Sequence, residues 1–256
     1  YGDHRDLHYP LRRQRQMCIR DRILINPFVV ILPSAGSGSR FNSDVPKQYF
    51  SIGDKQIIEF CIDLFLEFDE CQAICIPISQ SDQYFERISA NSKLHFIEGG
   101  SSRAESVKKG FDFAYSSQFK FDDILIHDSV RPCLTKTELR ILLENFSKNK
   151  LQASILAIPM SDTLKLTEKN VIQSTINREN IWRALTPQLF NKQALKFAYN
   201  SNLDNLSNLT DEASLFDNLD IEVMIIEGSS ENIKITFKED LKLAENILIN
   251  QNRIES

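Results

Sequence analysis

The chain has 256 residues, 42% of them hydrophobic and 25% charged, as is ordinary for a globular protein. Its formal net charge of −5 becomes −8 once residues 1–22, with six Arg and three Asp, are set aside, which argues against non-specific nucleic-acid binding as the main role. No apolar run approaches the ~20 residues of a membrane span. The five cysteines have no Cys-x-x-Cys spacing, which argues against a zinc site and fits a reducing compartment.

The first 26 residues differ from the rest of the chain. The segment at 11–22 is rich in Arg and has no sustained amphipathic period. We therefore expect residues 1–26 to be a disordered or non-native extension and residues 27–256 to form a single domain.

From residue 28 onward, strand-like and helix-like segments alternate. Short apolar runs predict strands at 28–32, 73–78, 94–97, 124–127 and 153–158, and helical patterns lie at 57–67, 103–114 and 136–149. This order predicts an α/β fold with a mainly parallel central sheet and helices on both faces. Ligands of such sheets bind beyond the carboxyl ends of the strands, so the loops that follow the strands are the candidate site.

The first such loop is Pro-Ser-Ala-Gly-Ser-Gly-Ser-Arg, residues 33–40. Gly36 and Gly38 allow a tight backbone path with amides free to face an anion, and Arg40 and Lys47 add two cations. The spacing matches neither a Walker loop nor a dinucleotide fingerprint. The motif therefore predicts a loop that binds a polyphosphate, and the alternative is an ordinary strand-to-helix turn.

Two further loops carry polar groups at strand ends. Gly99 and Gly100 precede a helix on which Arg103 and Ser106 could donate to a ligand, although a plain turn would have the same pattern. Ser101 or Ser102 could cap that helix, with Glu105 at capping-box distance from Ser102.

Asp128 ends the next strand and is a natural Mg²⁺ ligand beside a polyphosphate. Arg131 could bind a ligand or form a structural salt bridge with Asp128. His127 should point to the opposite face, so we do not expect it to act as a general base.

Residues 160–186 depart from the α/β rhythm. Polar and apolar residues alternate around Glu168-Lys169-Asn170, which predicts a β-hairpin that projects from the domain as an arm. Exposed hairpins need covering, and a dimer partner would cover this one; a solvated excursion is the alternative. Near the carboxyl end, Lys234 lies in an Ile-Lys-Ile segment that predicts a short strand.

In order along about 29–248, these blocks resemble the 2-C-methyl-D-erythritol 4-phosphate cytidylyltransferase family. The matching motifs are Pro33-Ser-Ala-Gly-Ser-Gly-Ser-Arg40, Pro46-Lys-Gln-Tyr49, Gly99-Gly-Ser-Ser-Arg-Ala-Glu-Ser-Val107, His127-Asp-Ser-Val-Arg-Pro132, Asp162-Thr-Leu-Lys165, Asn177-Arg178, Trp182-Arg-Ala-Leu-Thr-Pro-Gln188, Thr210-Asp-Glu-Ala-Ser214 and Asn232-Ile-Lys-Ile-Thr236. The chain departs from the family pattern at Ser34, Ser129 and Val130, where Ala is usual, and none of these changes removes a charged group.

The resemblance implies a Rossmann-like nucleotidyltransferase of the bacterial cytoplasm and a homodimer joined through the β-arm. It also implies transfer of CMP from CTP to the polyol phosphate 2-C-methyl-D-erythritol 4-phosphate with Mg²⁺, in isoprenoid precursor synthesis by the non-mevalonate route. Neither a nucleic acid nor a membrane is an expected partner.

The resemblance also implies site residues, carried over by position. The catalytic cations would be Arg40, Lys47 and Lys234. The nucleotide would be bound by Ala35, Gly36, Ser37, Gly38, Gly99, Gly100, Arg103, Ser106, Asp128 and Ser129, with Asp128 also the metal ligand. The second substrate would be bound by Arg131, Thr163, Arg178, Thr186 and Thr210, with Thr163 and Arg178 reaching the neighbouring subunit.

Three alternatives remain open at this stage. A relative that acts on ribitol 5-phosphate would keep most of these motifs. A sugar-1-phosphate nucleotidyltransferase shares the glycine turn and Pro-Lys but lacks the arm. A non-catalytic nucleotide-binding relative would have no reason to keep Arg40, Lys47, Asp128 and Lys234 together.

Overall fold

The computed structural model describes residues 24–36, 41, 45–202 and 209–255. Its strands are β1 Phe28–Ile31, β2 Ser51–Ile52, β3 Lys55–Gln56, β4 Cys71–Ile78, β5 Leu94–Glu98, β6 Asp123–Ile126, β7 Ala153–Pro159, β8 Leu164–Glu168, β9 Val171–Ile176, β10 Trp182–Asn191 and β11 Val223–Glu227. Its α-helices are α1 Ile57–Leu66, α2 Arg103–Ser116, α3 Lys136–Lys148, α4 Lys192–Ser201 and α5 Glu239–Asn250. The predicted extension lies almost wholly outside these ranges.

A seven-stranded sheet runs in the order β11-β7-β10-β6-β1-β4-β5. Four of its six neighbouring pairs are parallel, and only β10 runs antiparallel to its neighbours β6 and β7. The mainly parallel sheet that the sequence predicts is therefore confirmed. None of the described helices is long and apolar enough to cross a bilayer.

Strand β1 shows why the sheet is covered on both faces. All four of its residues are buried, and successive side chains of a strand point to opposite faces. Phe28 and Val30 belong to a core layer with α1 and α3. Val29 and Ile31 belong to a second layer with α2 and α4, so helices pack on both faces as predicted.

The loops that follow β1, β5 and β6 come together at one edge of the sheet. Backbone hydrogen bonds continue the ladder past the strand ends: Ser34 N donates to Pro77 O at 2.8 Å, Gly99 N to Ile78 O at 2.7 Å and His127 N to Ile31 O at 3.0 Å. Because parallel strands end at the same edge, the glycine turns and Asp128 lie side by side there.

Strands β8 and β9 form the predicted hairpin. They pair antiparallel around Lys169 and Asn170, whose φ angles of 47° and 67° are those of a tight two-residue turn. The hairpin is the extension of the β7–β10 pair, which reaches Pro159 and Trp182. Its use as a dimerisation arm stays a prediction.

One local prediction is wrong. The Ile233-Lys234-Ile235 segment is extended and belongs to no strand of the structure; it is attached by a hydrogen bond from Ile235 N to Val130 O at 2.9 Å. Ile235 and Val130 belong to a third apolar cluster that also contains residues of α5. Packing against this cluster, rather than sheet pairing, positions Lys234.

Candidate active site

A cleft of about 360 Å³ opens at the carboxyl edge of the sheet. It is lined by Pro33, Ser34, Ala35, Gly36, Lys47, Gln48, Gly100, Ser101, Ser102, Arg103, Ser106, Asp128, Ser129, Val130 and Lys234. Of these described residues, three are cationic and one, Asp128, is a carboxylate. The cleft therefore has an excess of positive charge inside an otherwise acidic protein, which suits an anionic ligand.

Asp128 is the centre of the charged groups. Its Oδ1 lies 3.1 Å from Arg103 Nε, and its Oδ2 lies 2.9 Å from Lys234 Nζ and 3.4 Å from Arg131 Nε. Burial alone would raise the pKa of Asp128, but the three cations outweigh burial and hold the pKa far below its usual range. Asp128 is therefore ionised near neutral pH.

Arg131 is buried beside Asp128 and is not one of the described residues that line the cleft. Besides Asp128, it reaches the carbonyl of Asn232 with Nη1 at 2.7 Å, so it joins the Asp128 loop to the Lys234 segment. The structural salt bridge that the sequence left open is thus present. Contact with a substrate phosphate stays a prediction.

His127 points away from the cleft, as expected. It is fully buried, with Nδ1 3.1 Å from Thr186 Oγ1 and Nε2 3.2 Å from Arg131 O. Burial lowers the pKa of His127 to about 4, so its ring is neutral near pH 7. Thr186 Oγ1 also accepts a hydrogen bond from Asp128 N at 3.1 Å and so helps to fix the backbone of the loop at Asp128.

The first loop is held by polar side chains. Gln48, almost fully buried, donates to Ser34 O at 2.7 Å, and Ser129 Oγ donates to Pro33 O at 3.1 Å. Lys47, which lies further along the chain, donates from Nζ to Ile235 O at 2.9 Å and so ties its own turn to the Lys234 segment. Ser129, one of the departures from the family pattern, thereby gains a bond that Ala could not make.

The second loop has room only for glycine. A Cβ on Gly99 would lie 2.5 Å from Ala35 Cβ, and one on Gly100 would lie 2.3 Å from Glu105 Cγ. Ser106 Oγ accepts from Gly100 N at 3.0 Å and fixes the turn onto α2. Ser102 caps that helix as predicted, but Glu105 reaches back to Ser101 rather than to Ser102.

Sequence reasoning missed Glu212. This side chain is fully buried, and both carboxylate oxygens accept from Arg103 Nη1, at 3.0 and 2.9 Å. It lies in the quoted Thr210-Asp-Glu-Ala-Ser214 motif, which signalled the segment but not its partner 109 residues away.

The structure brings most predicted site residues together. Ala35, Gly36, Lys47, Gly100, Arg103, Ser106, Asp128, Ser129 and Lys234 line the cleft, Gly99 lies against Ala35, and Arg131 and Thr186 lie beneath Asp128. Ser37, Gly38 and Arg40 lie outside the described residues. Thr163, Arg178 and Thr210 are exposed and do not line the cleft of their own chain.

Comparison with known proteins agrees with this architecture. The sequence profile of the 2-C-methyl-D-erythritol 4-phosphate cytidylyltransferase family matches residues 28–250. Relatives of that name are 40% identical over 219 residues in Haemophilus ducreyi (85% of this chain, 94% of the relative) and 41% identical over 224 residues in Blochmanniella pennsylvanica (85% and 93%). The crystal structure of the Francisella tularensis protein of that name superposes with a TM-score of 0.75 at 32% identity, covering 86% of this chain and 99% of the other.

The fold superposes on a solved cytidylyltransferase and the chain matches a cytidylyltransferase profile, so the protein is a nucleotidyltransferase, and the cationic cleft of this chain suits an enzyme of that class. Because the profile spans nearly the whole of the described domain, the chain belongs to the 2-C-methyl-D-erythritol 4-phosphate cytidylyltransferase family.

Proposed function

We propose that this protein transfers the CMP group of CTP to 2-C-methyl-D-erythritol 4-phosphate, giving the CDP ester and pyrophosphate for isoprenoid precursor synthesis. The observation that supports this most is the meeting of Lys47, Arg103 and Lys234 in one cleft of a chain from this family. A cleft lined by these three cations and by a single carboxylate, Asp128, is suited to two anionic substrates.

The chemistry requires little from acid–base groups. An oxygen of the substrate phosphate, ionised near pH 7 because the second pKa of a phosphate monoester is about 6, forms a bond to the α-phosphorus of CTP. The bond from that phosphorus to the bridging oxygen breaks, and pyrophosphate leaves with the electron pair. No side chain needs to remove a proton, which agrees with a neutral, buried His127.

The barrier is set by repulsion between the two anions and by charge that develops on the leaving group. Fixed cations oppose both effects, because they are already oriented before the reaction begins. We assign the triphosphate to the Gly36 loop, Lys47 and, outside the described residues, Arg40. We assign the nucleoside to the Gly100 loop with Arg103, and the substrate phosphate to Lys234.

Mg²⁺ fits the cleft only as an ion held mainly by substrate. Asp128 is the one carboxylate among the described lining residues, and no group of three or more metal-ligating side chains occurs in the described chain. Mg²⁺ commonly takes one or two carboxylates and completes its shell with phosphate oxygens and water. We propose that Asp128 is its protein ligand and that the ion supplies charge neutralisation on the phosphates.

We further propose that two copies of the chain associate through the β8–β9 arm. Leu166 is 54% exposed and Val171 and Ile172 are each 60% exposed, so apolar side chains of the hairpin face water in the isolated chain. Burial against a second copy would remove this exposed area and bring Thr163 and Arg178 towards the partner's cleft.

We place the protein in a bacterial cytoplasm, where its four described cysteines, all buried thiols, would stay reduced.

Light scattering tests the association. The wild type should have twice the chain mass of 29.5 kDa, and Val171→Lys should shift it towards the monomer. Gln173→Lys adds the same charge to the same exposed strand without removing an apolar contact, and it should leave the dimer intact. A monomeric wild type, or equal effects of both variants, would contradict the proposal.

Pyrophosphate release tests the activity. Purified protein with Mg²⁺ is given CTP, ATP, GTP or UTP, each with 2-C-methyl-D-erythritol 4-phosphate or ribitol 5-phosphate. Release should require CTP and the methylerythritol substrate. A preference for ribitol 5-phosphate would move the protein to that sister activity, and CTP binding without release under any condition would favour a non-catalytic role.

A further inference from the structure

We infer that Glu212 is a positioning residue for nucleotide binding, acting through Arg103; this inference rests on the proposed function. Glu212 does not line the cleft, and nothing in the chemistry above requires it. Its carboxylate nevertheless lies directly behind a guanidinium that does line the cleft.

The first support is the cost of burying Glu212. Its side chain is fully buried, and among the described residues its carboxylate oxygens accept hydrogen bonds only from Arg103. Removing a carboxylate from water costs several kcal/mol unless a partner compensates. Burial raises the pKa of Glu212 even with Arg103 beside it, so the pairing only partly offsets the cost of burying the charge. An apolar side chain would fill such a place at lower cost if packing were its purpose.

The second support is the geometry of Arg103. Its Nε donates to Asp128 at 3.1 Å and its Nη1 donates to Glu212 at 2.9 and 3.0 Å. Two carboxylates therefore bind two different nitrogens of the planar guanidinium group and fix its orientation. Within the described part of the chain, Nη2 has no hydrogen-bond partner. It is therefore the nitrogen that remains for a ligand, in a side chain that is 28% exposed.

Glu212 also prevents an unproductive arrangement. With Asp128 as its sole partner, the guanidinium could turn and make a bidentate pair with that carboxylate, as arginine commonly does. Its remaining donors would then change direction, and Asp128 would be less available to Lys234. The bond from Nη1 to Glu212 excludes this rotation.

Charge and positioning predict opposite results for a neutral replacement. Glu212→Gln removes a negative charge behind the cleft, so a purely electrostatic effect would tighten binding of a triphosphate. Loss of positioning would weaken it. We expect Glu212→Gln to raise the Kd for CTP by about tenfold, the size of one net hydrogen bond to a charged group.

A double-mutant cycle provides the test, with Kd for CTP measured by calorimetry in the absence of the second substrate. Arg103→Ala should weaken binding at least as much as Glu212→Gln, and the double variant should be no weaker than Arg103→Ala alone. Additive effects, or unchanged or tighter binding by Glu212→Gln, would overturn the inference.

Asp211→Asn is the matched control. Asp211 belongs to the same turn and binds Gln188 Nε2 at 2.8 Å and Ser214 N at 3.2 Å, without touching Arg103. It should leave Kd within twofold of the wild type. An increase equal to that of Glu212→Gln would assign the effect to the turn as a whole and overturn the inference.

Arg103→Lys tests the same idea if Glu212→Gln does not fold. Lysine keeps the charge but cannot bind two carboxylates in a fixed plane, so CTP binding should weaken by about as much as in Arg103→Ala. Wild-type affinity for CTP would overturn the inference.

Pyrophosphate release by the wild type is followed in parallel. A wild type that binds CTP without turnover contradicts the proposed function alone, whereas additive effects in an active enzyme contradict only the role of Glu212.

Discussion

Replacing Lys234 by Ala should slow the reaction strongly without unfolding the protein. Lys234 Nζ lies 2.9 Å from Asp128 Oδ2 at the cleft surface, and its side chain is 37% exposed. Its removal costs the fold little, because the segment is held by Ile235, which is fully buried, and by the bond from Ile235 N to Val130 O.

The expected loss in rate follows from distance and screening. A unit charge about 4 Å from a phosphate oxygen is worth ~4 kcal/mol at an effective dielectric constant near 20. Part of that attraction is opposed by Asp128, which must give up some of its own pairing with Lys234 when a phosphate arrives. A net loss of about 2–3 kcal/mol remains, which corresponds to a fall in kcat of about 30- to 150-fold.

Steady-state pyrophosphate release measures this loss. Lys234→Arg should retain part of the activity, because it keeps the charge but changes its geometry. Lys238→Ala is the matched control, since Lys238 is exposed, lies four residues further along and does not line the cleft. A Lys234→Ala enzyme with kcat within threefold of the wild type, or an equal loss in Lys238→Ala, would show that Lys234 does not stabilise the transition state.

Three more outcomes can be checked. Between pH 6.5 and 4 His127 is protonated in the unfolded chain but stays largely neutral in the fold, so this group alone lowers the free energy of unfolding by about 3 kcal/mol as the pH falls, and urea titrations of His127→Gln should lose that contribution. Burial raises the pKa of Asp123 to about 6, which makes the free energy of unfolding change with pH in the opposite direction, so the variant must be compared with the wild type. The same dependence on pH in both proteins would contradict the role assigned to His127. Gly99→Ala, whose new methyl group would overlap Ala35, should raise the KM for CTP by about tenfold or more, and an unchanged KM would show that the loop can yield. Chelation of divalent cations should abolish turnover, and Mg²⁺ should restore it; full activity in excess chelator would rule out the ion.

The periodic parts of the fold could be predicted from the sequence. The helix predicted at 57–67 is Ile57–Leu66, and the strand predicted at 124–127 is Asp123–Ile126, because each segment has an unbroken apolar period. The meeting of the Gly36 loop, Gly100 and Asp128 followed from the rule that parallel strands present their carboxyl ends at one edge. The same rule predicts that the cleft lies at this carboxyl edge of the sheet.

Features that depend on long-range contacts could not be predicted. Strand β10 runs against its neighbours because the arm returns the chain beside β7, and no local pattern encodes that direction. The pairing of Glu212 with Arg103 joins residues 109 apart and leaves no periodic signal in either segment. The alternation of an Ile-Lys-Ile sequence predicts a strand around Lys234, whereas in the structure its isoleucines pack into an apolar cluster and anchor a loop.

The reaction that we propose for this cleft joins a phosphate oxygen of the second substrate to the α-phosphorus of CTP. Phosphorus NMR of a single reaction mixture tests it directly. We expect the signals of CTP and of 2-C-methyl-D-erythritol 4-phosphate to fall together, while a new diphosphate ester and pyrophosphate appear in equal amounts. Hydrolysis of CTP without the new ester, or two substrates that stay unchanged in the presence of Mg²⁺, would contradict it.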